Sequence, residues 1–263
     1  MVQGTKEETK KAIREELIKR ELEQRHKDEQ EDLVEFIKYF FKEEKGVEFD
    51  DNWHYQRIAK KLNEVLEGKC TRLIINIPPG SGKTELVTKC FPVWAMGKNP
   101  RLDICATGYS TQLTQTYSSE ARDYYISDTF KAVFPRRPLL RGDQNTKEWW
   151  ANEDGGSYFA TGTGGSITGR RFNIIIIDDP IKPDEADSDV KRVGINNWFQ
   201  NTIISRLYNP LKDAVILVMQ RTHEDDLCGN QLARMEEGTG EKWETLILPA
   251  IAEKDDEWRK EGE

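Results

Sequence analysis

The segment RLIINIPPGSGKTELVTKC, residues 72–90, decides how the rest of the chain is read. RLIINI is a short apolar run of strand character. Pro78, Pro79, Gly80 and Gly82 interrupt it, and a helix-forming stretch opens at Lys83 and Thr84. A loop between a strand and a helix can cradle phosphate: its backbone N–H groups turn inward, glycines permit close approach, and a lysine and a hydroxyl meet the charged oxygens and a divalent cation. Gly80, Ser81 and Gly82 supply the turn, Lys83 the cation and Thr84 the hydroxyl for Mg²⁺. The nucleotide-binding stretch is taken as Pro79, Gly80, Ser81, Gly82, Lys83, Thr84 and Glu85.

Working outward, the segments LDICAT, NIIIID, DAVILVM and WETLIL read as further strands, with helices following Gly82, Ser110, Glu185 and Thr222. Several of these runs are continuously apolar, which predicts strands buried on both faces of a parallel sheet. The expected fold is α/β: a P-loop NTPase with a mainly parallel sheet flanked by helices, plus an N-terminal helical arm, and ligands at the carboxyl ends of the strands. Asp154-Gly155-Gly156 marks a hairpin turn, and a Gly/Thr-rich loop is expected after it.

Residues 1–50 read as a charged helical region. Its first part carries only a thin stripe of Ile13, Leu17 and Leu22, predicting an exposed arm that is mobile unless it docks on a partner. A denser helix with Leu33, Val34, Phe36, Ile37, Phe40 and Phe41 ends near Gly46, and another over residues 54–66 stops at Gly68. The nucleotide-binding domain is set at residues 51–252, and residues 253–263, with Asp255, Asp256 and Glu257, are a polar tail or the start of an interdomain linker.

The composition bounds the function. With 263 residues, 37% hydrophobic and 33% charged, the chain can bury a sizeable core. A net charge of −8 argues against a surface that binds nucleic acid all over, though not against one small basic patch. No apolar run matches a bilayer and the N-terminus is too polar for a secretory signal, so a cytosolic protein without a membrane is expected. Cys70, Cys90, Cys105 and Cys228 lie far apart and predict plain thiols rather than a zinc site or disulfides.

A second element must hold the metal and handle water. In RRFNIIIIDDP four isoleucines end in Asp178 and Asp179; the first carboxylate suits the Mg²⁺ shell and the second suits a base for attacking water. A third strand ends at Met219, Gln220 and Arg221, where either polar residue is placed to sense the γ-phosphate. The following THEDDL suggests a metal cluster of His223, Glu224, Asp225 and Asp226, but a Thr222–Asp225 capping box on a helix accounts for it better. Upstream, Gln56 is placed to read an adenine edge and Trp53 or Tyr55 to stack on it, or these aromatics are simply core.

The loop departs from GxxxxGK[ST], since Ile77 stands where the first glycine belongs; this form resembles the helicase-like branch of P-loop ATPases. Together with FATGTGGSITGRRFNIIIIDDPIKPDEADSDVKR, WFQNTIISRL and ILVMQRTHEDDLCG, it resembles the ATPase half of the large terminase subunit of tailed bacteriophages, over residues 51–251. The resemblance implies an ATP- and Mg²⁺-dependent motor that moves double-stranded DNA into a procapsid. It would act in the host cytoplasm with a portal protein and a small terminase subunit, as a homo-oligomeric ring, expected to be a pentamer.

By the resemblance, Lys83 and Thr84 carry phosphate and metal, Asp178 the metal and Asp179 the water, and Gln220 or Arg221 falls in the coupling motif. The family usually shows Thr-Arg-Trp-His there, whereas this chain has Gln220, Arg221, Thr222 and His223. An arginine acting on a neighbouring subunit's phosphate is expected at Arg170 or Arg171; some relatives carry it slightly earlier, where this chain has Thr168. No nuclease domain is expected after residue 251, hence no nuclease activity. The alternatives are a helicase-like DNA-dependent ATPase and a regulatory nucleotide-binding module; a second carboxylate at 179 is superfluous in the latter.

Overall fold

The computed structural model describes residues 2–263 apart from Thr168 and Asp256, with side chains from Arg14 onward except Glu15. Ile13, the first member of the predicted stripe, therefore has a side chain outside the described residues, as do Thr168 and Asp256 altogether.

Eight strands form one sheet in the order β3-β4-β5-β2-β6-β7-β1-β8. They are β1 (Arg72–Asn76), β2 (Asp103–Gly108), β3 (Leu140–Asn145), β4 (Trp149–Asn152), β5 (Ser157–Gly162), β6 (Ile174–Asp178), β7 (Ala214–Met219) and β8 (Glu244–Ile247). All pairings are parallel except those of β4 with β3 and β5. The expected hairpin at Asp154-Gly155-Gly156 joins β4 to β5. SYFATG after it is not only a hairpin arm: as β5 it is fully buried and pairs parallel with β2, inside the sheet.

The apolar runs of β1, β2, β6 and β7 divide by alternation between two cores. Leu73, Ile75, Ile104, Ala106, Ile174, Ile176, Ile216 and Val218 face one side, and Ile74, Cys105, Ile175, Ile177, Val215, Leu217 and Met219 the other. Burial on both faces follows from helices on both sides. The first core is covered by α2 (Leu33–Phe40), α3 (Trp53–Leu66), α4 (Phe91–Lys98), α5 (Thr111–Ile126) and α6 (Asp128–Val133). The second is covered by α7 (Asp189–Trp198), the π-helical turn Phe199–Ile203 that prolongs it, and α8 (Leu227–Glu236). The four cysteines are buried free thiols.

The N-terminal arm is one helix, Val2–Glu31, and it is docked at its end. Trp94 Nε1 donates to the Glu29 carbonyl at 3.0 Å, Gln30 donates to the Val133 carbonyl, and the buried Glu29 carboxylate takes Arg25 at 3.0 Å and His26 at 2.7 Å. Leu17 and Leu22 of the stripe are exposed. The second helix continues from α2 through a π-helical turn, Phe41–Lys45, and stops where predicted: Gly46 has φ of 64°, a left-handed cap that glycine adopts without strain. Gly68 closes α3 in the same way. Among the described residues no helix is long and apolar enough to cross a membrane.

Candidate nucleotide site

Two strand ends build the site, and β7 lies between them. β1 runs into Ile77, Pro78 and Pro79, after which Gly80 (φ 77°) and Gly82 (φ 73°) take left-handed conformations closed to most side chains. Any methyl group at Gly82 would also collide with the hydroxyl of Tyr55, which lies over the loop. Ser81 Oγ donates to the Pro78 carbonyl at 2.8 Å, and His54 Nε2 donates to the Ser81 carbonyl at 3.1 Å. These contacts shape the loop before any ligand arrives. A helix begins at Lys83 and runs through a π-helical turn, Glu85–Cys90, into α4.

From the other strand end come Asp178 and Asp179. Asp178 is buried; Thr88 Oγ1 donates to its Oδ2 at 2.7 Å, while its Oδ1 is buried without any hydrogen-bond partner. Burial foremost, then the neighbouring Asp179 charge, pushes the Asp178 carboxyl up to about 6, against the pull of the Thr88 and Thr84 hydroxyls and Lys83. A buried carboxylate oxygen with no donor is costly unless something positive completes it. That orphan oxygen, beside the Thr84 hydroxyl, fits a Mg²⁺ ion, which binds through one or two protein oxygens plus phosphate and water rather than an all-protein cage.

Asp179 is the one non-glycine described residue with positive φ, 44°. Three contacts hold it there: its N–H donates to the Val218 carbonyl at 3.0 Å, its carbonyl accepts from Tyr109 N–H at 3.0 Å, and its Oδ1 accepts from Gln220 N–H at 3.1 Å. Its other oxygen, Oδ2, meets Lys83 Nζ at 2.8 Å. Strained backbone fixed from several sides is a common mark of functional positions. Gly108 at the end of β2 lets this corner close, since a Cβ there would stand 2.8 Å from the Asp178 carbonyl oxygen. Thr84, Thr88, Tyr109, Tyr117, Asp178 and Asp179 line a small pocket here.

Beside the loop a second cavity of about 370 Å³ is lined by Trp53, His54, Pro78 through Ser81, Leu248, Pro249 and Arg259. Trp53 thus faces the loop; Gln56 does not. Its amide donates to both carboxylate oxygens of Asp51 at 3.0 Å, and it lines a different cleft with Arg57 and Lys60. Glu85 likewise points away from the loop, into an ionic cluster with Lys89 at 2.7 Å, Lys45 at 2.9 Å and the Tyr124 hydroxyl at 2.7 Å.

Arg170 lies elsewhere. Its guanidinium stacks on Trp149 at 3.8 Å and Phe159 at 4.7 Å, in a cavity shared with Asp103, Ser157, Arg171 and Tyr208. Asp103 and Ser157 open β2 and β5, so this cavity lies toward the amino ends of those strands, away from the carboxyl ends that carry the site. Arg171 donates to the Leu207 carbonyl at 3.4 Å. Gln220 meets Asp179 only through its backbone, and Arg221 is bound to Asp226, both at 3.0–3.1 Å.

The helix after β7 is capped differently from the expectation. The N-cap is Asp226, not a Thr222–Asp225 box: its buried carboxylate accepts from the N–H groups of Gly229, Thr222 and His223 and from Arg221 Nε. Asp225 instead offers its N–H to His223 Nδ1 at 3.0 Å. Thr88 is a site residue the sequence reading missed; the signal available was a hydroxyl one helical turn after Thr84, on the side that faces the second strand.

Glycine loop, buried lysine and paired acids at the ends of two parallel strands define a P-loop nucleotide-binding α/β domain. More specifically, the chain belongs to the family described as "Terminase large subunit, T4likevirus-type, N-terminal", whose profile matches residues 74–263. Among solved structures, the chain is similar to the large terminase of a thermophilic bacteriophage in complex with ATP-gamma-S. The identity is 13% and the TM-score 0.44, over 72% of this chain and 44% of that one. The chain thus spans less than half the length of that terminase. No curated protein gives a significant sequence match.

Proposed function

We propose that this domain binds ATP with Mg²⁺ and hydrolyses it, as the ATPase part of a DNA-packaging large terminase. The observation that carries the reading is the meeting of Lys83 with Asp179 beside an unpartnered Asp178 oxygen, next to a loop whose Gly80 and Gly82 take left-handed backbone. Lys83 and the N–H groups of Gly80, Ser81 and Gly82 would hold the phosphates; Thr84 and Asp178 would hold Mg²⁺. The bound cation supplies charge neutralisation on the transferred phosphoryl group.

The rest falls to the chain's own groups. Asp179, fixed by Tyr109, Val218 and Gln220, orients water and takes its proton. The cavity beside Trp53 and His54 would receive the base, with the Trp53 ring, on which the Arg259 guanidinium lies 4.4 Å from the centroid, as one wall. Arg170, far from the loop of its own chain, would reach phosphate only on a neighbouring copy. In a ring on the portal, with a small terminase subunit, hydrolysis would move double-stranded DNA into a procapsid in the host cytoplasm.

The test is phosphate release from Mg-ATP by the purified chain, alone and with duplex DNA and portal. Stimulation by both supports a packaging motor. Turnover stimulated by single-stranded DNA alone would favour a strand-separating ATPase, and no turnover under any condition would overturn the enzyme reading.

A further inference from the structure

Thr88 stands at the centre of a buried chain of contacts that reaches the cation site. Its side chain is fully buried in the π-helical turn after the phosphate loop, a winding that recurs at functional positions. Its hydroxyl proton goes to Asp178 Oδ2 at 2.7 Å, and its carbonyl accepts the Tyr158 hydroxyl at 2.8 Å. Tyr158, on β5, is itself fully buried; its ring lies parallel to that of Trp150, with centroids 5.4 Å apart. Trp150 Nε1 in turn donates to Ser118 of α5 at 3.2 Å.

A carboxylate turns easily about its last torsion, so a lone Asp178 would present either oxygen in many directions. The Thr88 bond removes that freedom by fixing Oδ2. Oδ1, the buried oxygen without a donor, is then aimed in one direction. Among the described residues Thr88 gives the one close hydrogen bond to the Asp178 carboxylate, and the Thr84 hydroxyl adds a weaker pull on it.

We propose that Thr88 is a positioning residue for the cation site, holding Asp178 so that Oδ1 faces Mg²⁺, and that Tyr158 holds Thr88 in turn. The inference rests on the nucleotide-site reading above. Partners of this kind, one step behind a metal ligand, orient it and tune its affinity. A merely structural Thr88 would satisfy the buried carboxylate without influencing how much Mg²⁺ the site needs.

The experiment follows binding of a fluorescent ATP analogue to the full chain, first in EDTA and then titrated with MgCl₂, with melting curves as a check on folding. Thr88→Val is expected to raise the half-saturating Mg²⁺ concentration by about 10- to 100-fold, the range seen when such partners are removed. Analogue binding in EDTA, measured on the same variant, distinguishes a change confined to the Mg²⁺ titration from a general loss of binding. Thr88→Ser keeps the hydroxyl and should rescue the Mg²⁺ requirement, while Tyr158→Phe should raise it by a smaller factor.

A folded Thr88→Val chain with the wild-type Mg²⁺ requirement overturns the inference and leaves the nucleotide site standing. Wild-type protein that binds no analogue in EDTA or with Mg²⁺ brings down the nucleotide site and the inference with it, while wild-type binding that Mg²⁺ leaves unchanged overturns the inference alone. Should Thr88→Val fail to fold, Tyr158→Phe decides: a raised Mg²⁺ requirement supports the positioning chain, and an unchanged one overturns it.

Discussion

Lys83 Nζ lies 2.8 Å from Asp179 Oδ2, so the cation of the phosphate loop is held by a carboxylate from the end of β6. The lysine is only 8% exposed, and a buried ammonium needs such a partner. The pair spans the two strand ends across β7 and ties the loop shut. On the proposed function a phosphate competes for the same lysine, and the acid it releases becomes free to act on water.

Replacing that lysine tests the cradle. Lys83→Ala removes the only charge the loop itself contributes, and loss of one such stabilising contact costs about a hundredfold or more in rate. Phosphate release should fall to background while the melting temperature changes little, because Asp179 is partly exposed and keeps its bond from Gln220 N–H. Retained turnover would sink the assignment of the loop.

Asp178 makes apo stability depend on pH in a defined direction. Its folded carboxyl titrates at about 6, above its ordinary value of 3.8, so between these the folded chain binds more protons than the unfolded one. The carboxyl's favourable contribution is complete below about pH 4 and is lost as pH rises toward 6. In Mg²⁺-free buffer Asp178→Asn should therefore gain stability over wild type across that window, by at most about 3 kcal/mol at 1.36 kcal/mol per unit. Melting curves of both chains at pH 4, 5, 6 and 7 measure the difference; a gap that does not grow with pH contradicts it.

Asp226 and Asp225 are adjacent acids with different work. Asp226→Ala deprives three N–H groups and Arg221 of their acceptor and should cost about 3 kcal/mol, from a lost cap plus unsatisfied donors. Asp225→Ala, an exposed position, should stay within about 0.5 kcal/mol. Urea unfolding of the two variants separates this cap from the Thr222–Asp225 alternative.

Arg170 is the test of assembly. Because it stacks on Trp149 at the far end of the strands, Arg170→Ala should leave nucleotide binding by the isolated chain unchanged. Mixed with Lys83→Ala in demonstrably mixed rings, it should restore part of the ATPase activity if it acts between copies. Absence of rescue counts against that role.

The sequence made the centre of the fold plain because β1, β6 and β7 are built on continuous apolar stretches and their ends carry the glycines, lysine and acids of the site. It was less plain where chemistry and burial part company. β5 carries Ser, Thr and Gly in a strand that is wholly buried, so it resembled a loop, and exposed LRGDQN showed no strand pattern before pairing as β3. Gln56 and Glu85 sit next to the right elements, but their direction depends on Asp51, Lys45 and Tyr124, which lie apart from them in the chain or on other elements. Thr88 was hidden because its partner is 90 positions away.

Asp179→Asn bears most directly on the claim that this site hydrolyses ATP. Asparagine tolerates the left-handed backbone at 179 and keeps the shape of the side chain, so only the charge and its capacity to take a proton are removed. Side-by-side measurement of Mg-ATP binding and phosphate release should show binding kept and release reduced by about 10²- to 10⁴-fold. Binding together with wild-type release would contradict the account, because the base would then have to lie elsewhere.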